Sequence, residues 1–405
     1  MNQSDIQPCR VLWLFRNFYP ELAGGAERFR RYVPGLQLRG IEVEVLTSSE
    51  VGNAAGEDLG FRVIRVPRPP AGLKKIDHQL LRHAMRLIRK SGVQYDAVQM
   101  GVVHWADVPF LIWLRLCGVR VILICTIIHQ ADGKTRSLLR RAFRWLTGVV
   151  THRVCSTVIV SSSCMADSRV EEGAQRRQIE VICNGVDTHR FRPRPAEEKL
   201  VLRARLGIPA ESQVLLYMGG IVPRKRIHLL IEALHVLSKT HPHVRLYLVG
   251  PMLRPTMFHE ADQNELGVYQ KHLHELAGDA LDRQIFFVGE SQEPEIWFNV
   301  ANIFGFCPIN EGFGNVIIEA MSSGTPVVMS PFIGLAEELG DAGLHYMLAE
   351  PSGSSLAEAM RQLLDDAPRR EKIIQQALEW IQQKHRRDLT LDRLAAVYRG
   401  LPMAR

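Results

Sequence analysis

Long apolar runs are missing from this sequence. Its most hydrophobic region, Val102 to His129, is broken by Asp107, Arg115 and Arg120, and no stretch reaches the roughly 20 residues of a membrane-spanning helix. The opening MNQSDIQPCR has no apolar core of the signal-peptide kind, so the expected place of the chain is the cytosol. Cysteine is sparse. The seven residues (Cys9, Cys117, Cys125, Cys155, Cys164, Cys183, Cys307) show neither CxxC nor Cys/His ligand spacing. That gives no support to a disulfide framework or a metal site, and leaves buried, reduced thiols as the expectation. No internal period repeats, which argues against a solenoid.

What is present is enough material for two ordinary cores: 405 residues, 46 % of them hydrophobic. Short apolar runs alternate with longer amphipathic segments, the pattern of βαβ units and parallel sheets. RVLWLF, IEVEVLT, FRVIRV, YDAVQM, VRVILIC, STVIVSS and IEVICN read as strands of a first half. VLLYMGG, VRLYLVG, IFFVG, IFGFCP, PVVMS and HYML read as strands of a second. Between them, Asp187 to Gln213 is rich in proline and charge and reads as an interdomain connection leading into a short helix. The expected organisation is a doubly wound α/β domain over 1–190, a second over 191–385, and a terminal helix over 386–405 that can pack on either.

In such sheets ligands sit at the carboxyl ends of strands, so the loops there carry the functional reading. After the first strand, Gly24 and Gly25 precede a helix-like segment, where bare backbone and a helix N-terminus can approach a phosphate, although the pair alone is equally a tight turn. Pro34 is expected to kink that helix or end it early. In YMGGIVPRKRIHLLIEAL, Arg224, Lys225 and Arg226 lie between a strand end and a helix start, where a cation can neutralise a diphosphate or simply be solvated. The stretch NEGFGNVIIEAMSSGTPVV places Glu311 before a loop of Gly312, Phe313 and Gly314, and Glu319 in the first turn of a helix that Asn315 can cap. Two carboxylates for two polyols, with amides and a cation for phosphates between them, describe a nucleotide-sugar. A glycosidase pair fits less well, because both acids lie on one loop–helix unit.

GGAER, RGIEVEVLTSS, VICNGVDTHRF, GGIVPRKR, EGFGNVIIEAMSSGTPVV and GLAEEL together resemble the retaining glycosyltransferases of the GT-B fold, family four, in order and over nearly the whole chain. The resemblance implies two Rossmann-like domains facing a cleft that closes on the substrates. It also implies a nucleoside diphosphate-sugar donor and no essential metal, with the leaving phosphate assisting deprotonation of the acceptor. By similarity, Gly24 and Gly25 lie near the donor phosphates, Lys225 binds the diphosphate, Glu311 holds the transferred sugar and Glu319 the ribose. His129, in CTIIHQ, matches a histidine near the reacting sugar, with His104 as a competitor. One departure is Gly220, where the family usually has arginine. A charge-assisted contact worth about 1.5–3 kcal/mol is then lost unless Arg224 or Arg226 replaces it. That departure also admits a catalytically impaired scaffold or partner-dependent subunit.

Charge is uneven. Between Phe61 and Arg153 seventeen Lys or Arg stand against four Asp. IDHQLLRHAMRLIRKS and GKTRSLLRRAFRWLTG, the second holding Arg140, Arg141 and Arg144, mix arginine with Leu, Phe and Trp at helical spacing. That composition suits an anionic membrane surface or a lipid diphosphate, or two core-packed helices with solvated faces. No nucleic-acid reading motif accompanies it.

Overall fold

The structure, a computed structural model, describes residues 8–16, 18, 24–49, 59–67, 78–90, 94–101, 103, 105–125, 138–252 and 260–401. The chain divides into two compact units, Met1–Cys183 with Asp388–Arg405, and Asn184–Arg387. The divisions fall at 183/184 and 387/388, where the sequence placed them at 190/191 and 385/386.

The first unit runs β1 (Cys9–Phe15), α1 (Gly24–Gln37), β2 (Ile41–Ser49), β3 (Val63–Pro67), α2 (His78–Lys90), β4 (Ala97–Met100), α3 (Val108–Leu116), β5 (Arg120–Cys125), α4 (Leu138–Val154), β6 (Thr157–Val160), α5 (Ser163–Glu171) and β7 (Ile179–Val181). The second runs α6 (Ala196–Arg205), β8 (Gln213–Met218), α7 (His228–Leu237), β9 (Val244–Val249), α8 (Glu260–Ala277), β10 (Ile285–Gly289), α9 (Pro294–Val300), β11 (Ile303–Phe306), α10 (Asn315–Ser322), β12 (Val327–Met329), β13 (Met347–Leu348), α11 (Gly353–Asp365) and α12 (Ala367–Trp380). A π-helical turn at Ile381–His385 then leads into α13 (Arg387–Arg399).

Both sheets are parallel, ordered β3-β2-β1-β4-β5-β6-β7 and β10-β9-β8-β11-β12-β13. Every strand-like run in the sequence forms a strand. Parallel strands are covered on both faces and so read as continuous apolar runs. In β1, Leu12 and Leu14 join the core with α2, α3 and α5, while Val11 and Trp13 join the core with α1 and α13, the period of two expected of a strand. α13 is part of that second core. Tyr398 is fully buried and donates to Gln99 Oε1, and a Cβ at Gly35 would lie 2.4 Å from Leu391 Cδ1. α1 continues three residues past Pro34, to Gln37.

The proline-rich stretch after Asp187 is not a free connection. Phe191 is buried against Phe298, and Asn299 bonds Arg194 N (2.9 Å) and Arg192 O (3.0 Å), so the segment belongs to the second unit. The expectation of buried thiols holds for Cys9, Cys155 and Cys307 but not for Cys117 and Cys164, which are exposed. Burial pushes the Cys155 and Cys307 thiols up to about 12, so neither is a thiolate near neutrality.

The order of strands reverses between β1 and β4 in one sheet and between β8 and β11 in the other. Loops leaving those strands stand at the switch points where open α/β sheets bind ligands.

Candidate active site

In the second unit the loops after β8 and β11 meet. β8 is followed by Gly219 (φ +139), and the backbone after β9 passes so close that a Cβ at Gly250 (φ +149) would lie 2.0 Å from Gly219 O. Only glycine fits both positions. Tyr217, fully buried, donates its hydroxyl to Gly220 O at 2.9 Å, and burial raises its pKa well above the usual value, which keeps that proton in place. A 3-10 turn, Pro223–Lys225, then presents two consecutive cations.

Lys225 and Arg224 both bond Glu311 Oε2, Arg224 Nη1 at 3.1 Å, and Arg224 also donates to Asn310 O at 3.1 Å. Lys225 is 8 % exposed, and its ammonium sits 4.8 Å from the centroid of the Phe306 ring. Burial lowers the Lys225 pKa, and Glu311 opposes that shift. Burial raises the Glu311 carboxyl, but Lys225 and then Arg224 outweigh it, and the group lies below the ordinary carboxylate value. The Glu311 carboxyl is therefore ionised at neutral pH. The loop is pinned beneath them. Ile309 N donates to Arg224 O (2.7 Å) and Glu311 N to Ile333 O (3.0 Å).

Arg226 does different work from its neighbours. It takes the left-handed conformation (φ +49), and its guanidinium donates to Cys307 O (2.8 Å), Pro308 O (2.6 Å) and Ser330 Oγ (3.2 Å). It ties the two loops together, leaving Arg224, half exposed, as the second cation of the site.

The loop Gly312–Gly314 is buried, and Phe313 packs 5.6 Å from the ring of His385. Two details differ from the sequence reading. The N-cap of α10 is Gly314 (φ +77), with no side-chain cap. Asn315 is the first helical residue, and its Oδ1 accepts from Asn184 Nδ2 at 2.6 Å. Glu319 is the fifth residue of α10, in the second turn, and half-buried. The left-handed Gly314 starts the helix one residue earlier than a capping Asn315 would.

Lys225, Arg224 and Glu311 are thus brought together, with Gly312, Phe313, Gly314 and Asn315 on the same loop and Glu319 on its helix. Gly24 and Gly25 begin the first turn of α1, where the sequence reading placed them before the helix. His129 and His104 lie outside the described residues. Tyr217, Asn184 and His385 were not singled out from sequence. Tyr217 and Asn184 lie inside quoted motifs, whereas His385 has no local signal.

Chemically, two cations held on one carboxylate form a site that an anionic ligand can enter by taking the cations, which frees Glu311 to accept hydrogen bonds from hydroxyl groups. Among the described residues no cluster of His, Cys, Asp and Glu is arranged for a metal.

The family pattern described as Glycosyl transferases group 1 matches residues 198–380, and that described as Glycosyltransferase Family 4 matches residues 23–190. Over 211 residues the chain is 32 % identical to a D-inositol 3-phosphate glycosyltransferase of Streptomyces avermitilis, covering 52 % of this chain and 44 % of that protein. Over 362 residues it is 28 % identical to one of Xylanimonas cellulosilytica, covering 84 % and 82 %. The match to the first of these relatives spans less than half of its length. Anabaena Alr3699/HepE, solved in complex with UDP and glucose, superposes with a TM-score of 0.75 at 21 % identity over 97 % of this chain and 100 % of the other. Sucrose-phosphate synthase from Thermosynechococcus elongatus gives 0.78 at 20 % identity, over 97 % and 98 %. Together these matches show that the chain belongs to the group 1 glycosyltransferases of family 4, with the GT-B fold.

Proposed function

We propose that the chain is a retaining, hexosyltransferase-like glycosyltransferase that takes its sugar from a nucleoside diphosphate donor, UDP-sugar in the first place and GDP-sugar as the alternative. The observation that carries this is the convergence of Arg224 and Lys225 on Glu311 at the switch point of the second sheet, in a chain of this family. In the proposed complex Lys225 and Arg224 take the diphosphate, the amides of Gly312, Phe313 and Gly314 support it, Glu311 accepts from the transferred sugar and Glu319 from the ribose. Gly24, Gly25 and His129 complete the assignment in the first unit. The leaving phosphate takes the acceptor proton, and the cations meet its charge without a metal.

The acceptor is assigned to the first unit, as a glycolipid, lipid-linked saccharide or polysaccharide precursor, with the protein peripheral on the anionic cytoplasmic face of a membrane. Support comes from the basic excess of residues 61–153. No described helix is long and apolar enough to cross a membrane. A thermal-shift screen of UDP, GDP and ADP with their sugars tests the donor, and the anomer of the product tests retention. Stabilisation by none of them would overturn the reading.

Gly220 favours a second reading, a weakly binding scaffold or partner-dependent subunit. Donor binding without transfer to any acceptor would support it.

A further inference from the structure

We propose that the outer faces of α3 and α4 dock the first unit on an anionic lipid bilayer, with Trp145 and Leu146 entering the boundary between headgroups and acyl chains. This rests on the reading that the first unit serves a membrane-held acceptor, and names the surface that does so.

α3 joins β4 to β5 and α4 joins β5 to β6, consecutive steps in one direction across the sheet. Right-handed crossovers put both helices on the same side, where they pack against each other. Their inner sides are ordinary core, with Phe110, Leu111 and Leu114 buried. Their outer sides are not ordinary surface. Ile112 and Leu116, one turn apart on α3, are 42 % and 82 % exposed. Trp145, Leu146 and Val150 on α4 are 56 %, 55 % and 36 % exposed. Singly exposed apolar residues need no explanation, but five large ones on two adjoining helices of one layer form a patch.

Charge selects the occupant. The segments of α2, α3 and α4 hold nine Lys or Arg and not one Asp or Glu. Arg115 and Arg153 stand exposed beside the apolar residues, and Arg89 reaches from α2 to lie 5.3 Å from the Trp113 ring. Aliphatic residues and an indole on helices that carry arginine and no acid of their own, with the neighbouring Glu172 already paired to Arg169, match a surface that is anionic outside and hydrocarbon beneath. A polynucleotide would satisfy the arginines but offer nothing to Leu116 and Leu146. A second copy of this face would set arginine against arginine.

The test mixes the full chain with phosphatidylcholine vesicles, with and without about a third phosphatidylglycerol, at low salt and at about 0.5 M, where screening shortens to about 4 Å. Sedimentation with the anionic vesicles alone, released by salt, is expected. The double variant Trp145→Ser, Leu146→Ser should bind about tenfold less while its melting temperature is unchanged, since both side chains are more than half exposed. Brominated acyl chains should quench the wild type more than Trp145→Phe. Undiminished binding of the double variant would overturn this face while leaving membrane attachment standing. No binding to either vesicle would overturn both. A concentration-dependent dimer lost in the double variant would assign the face to a second copy.

Discussion

Arg224 and Lys225, adjacent in the chain, share a single acceptor, Oε2 of Glu311. Neighbouring side chains converge in this way because the 3-10 turn and the left-handed Arg226 fold the backbone sharply at the end of β8. The two cations are not equivalent. Lys225 is buried and fixed over the Phe306 ring, whereas Arg224 is half exposed. Lys225→Ala is therefore expected to lower turnover by about 10²–10³, the usual loss for one preorganised group facing developing charge. Arg224→Ala should cost less and act mainly on donor affinity. Steady-state kinetics with the donor found in the nucleotide screen checks both, and a silent Lys225→Ala places the diphosphate elsewhere.

The two glutamates should separate. Glu311 is engaged by both cations, while Glu319 lies one turn into α10. Glu319→Ala is expected to weaken binding of the free nucleotide. Glu311→Ala should leave that affinity near wild type, or raise it by releasing the cations, and lower turnover. Calorimetric titration with the nucleoside diphosphate beside rate measurements distinguishes them. Equal effects of the two variants on both quantities would refute separate sugar partners.

Gly220→Arg tests the departure at the end of β8. Gly220 is not among the glycines with positive φ, so a larger residue meets no left-handed strain. Arg226 cannot substitute for a cation there, because its guanidinium is committed to Cys307, Pro308 and Ser330. If the diphosphate lies beside Lys225, the new guanidinium should tighten donor binding by about tenfold, the lower end of a charge-assisted bond. Unchanged affinity in a folded variant would mean that the diphosphate does not pass this position.

Strands were legible because a parallel sheet covered on both faces demands unbroken apolar runs, and Lys225 and Glu311 were legible because both follow such runs. The helix boundary at α10 was not, since a left-handed glycine and a capping asparagine are adjacent in the sequence and only the backbone angle tells which one starts the helix. Which of Arg224 and Arg226 faces the site was not legible either, for a related reason. The role of Arg226 follows from three acceptors on the loop after β11 and at Ser330, more than 80 residues away. The stretch from Asp187 read as a linker through its prolines, while one buried aromatic, Phe191, holds it to the second unit.

His385 gives a pH dependence whose sign is fixed by its surroundings. The ring is fully buried, with Nε2 2.6 Å from Glu338 O and Nδ1 3.2 Å from Asn184 O. Both partners only accept, and a neutral imidazole can donate to one of them. Burial lowers the pKa below its usual 6.5 against the pull of the two carbonyls, with Glu338 and Lys384 as the charged groups facing it. The ring is thus neutral in the fold at and above pH 7, with one of its two nitrogens carrying the proton. The unfolded chain takes up a proton near pH 6.5 that the fold refuses, so this contribution to stability is full above that pH. It is lost as pH falls toward the folded value, by up to about 1.4 kcal/mol per pH unit. His152, lowered to about 4 by burial and by Arg169, acts with the same sign in the first unit. Melting temperature should therefore fall from pH 6.5 toward 4, and less steeply in His385→Gln, which keeps a donor but no titration. Because the ring packs on Phe313, His385→Ala should raise KM for the donor more than it lowers kcat, with His385→Gln restoring the affinity. A pH profile of stability identical in wild type and His385→Gln would show that the fold does not shift the imidazole's pKa. An unchanged KM in His385→Ala would remove His385 from the support of the loop.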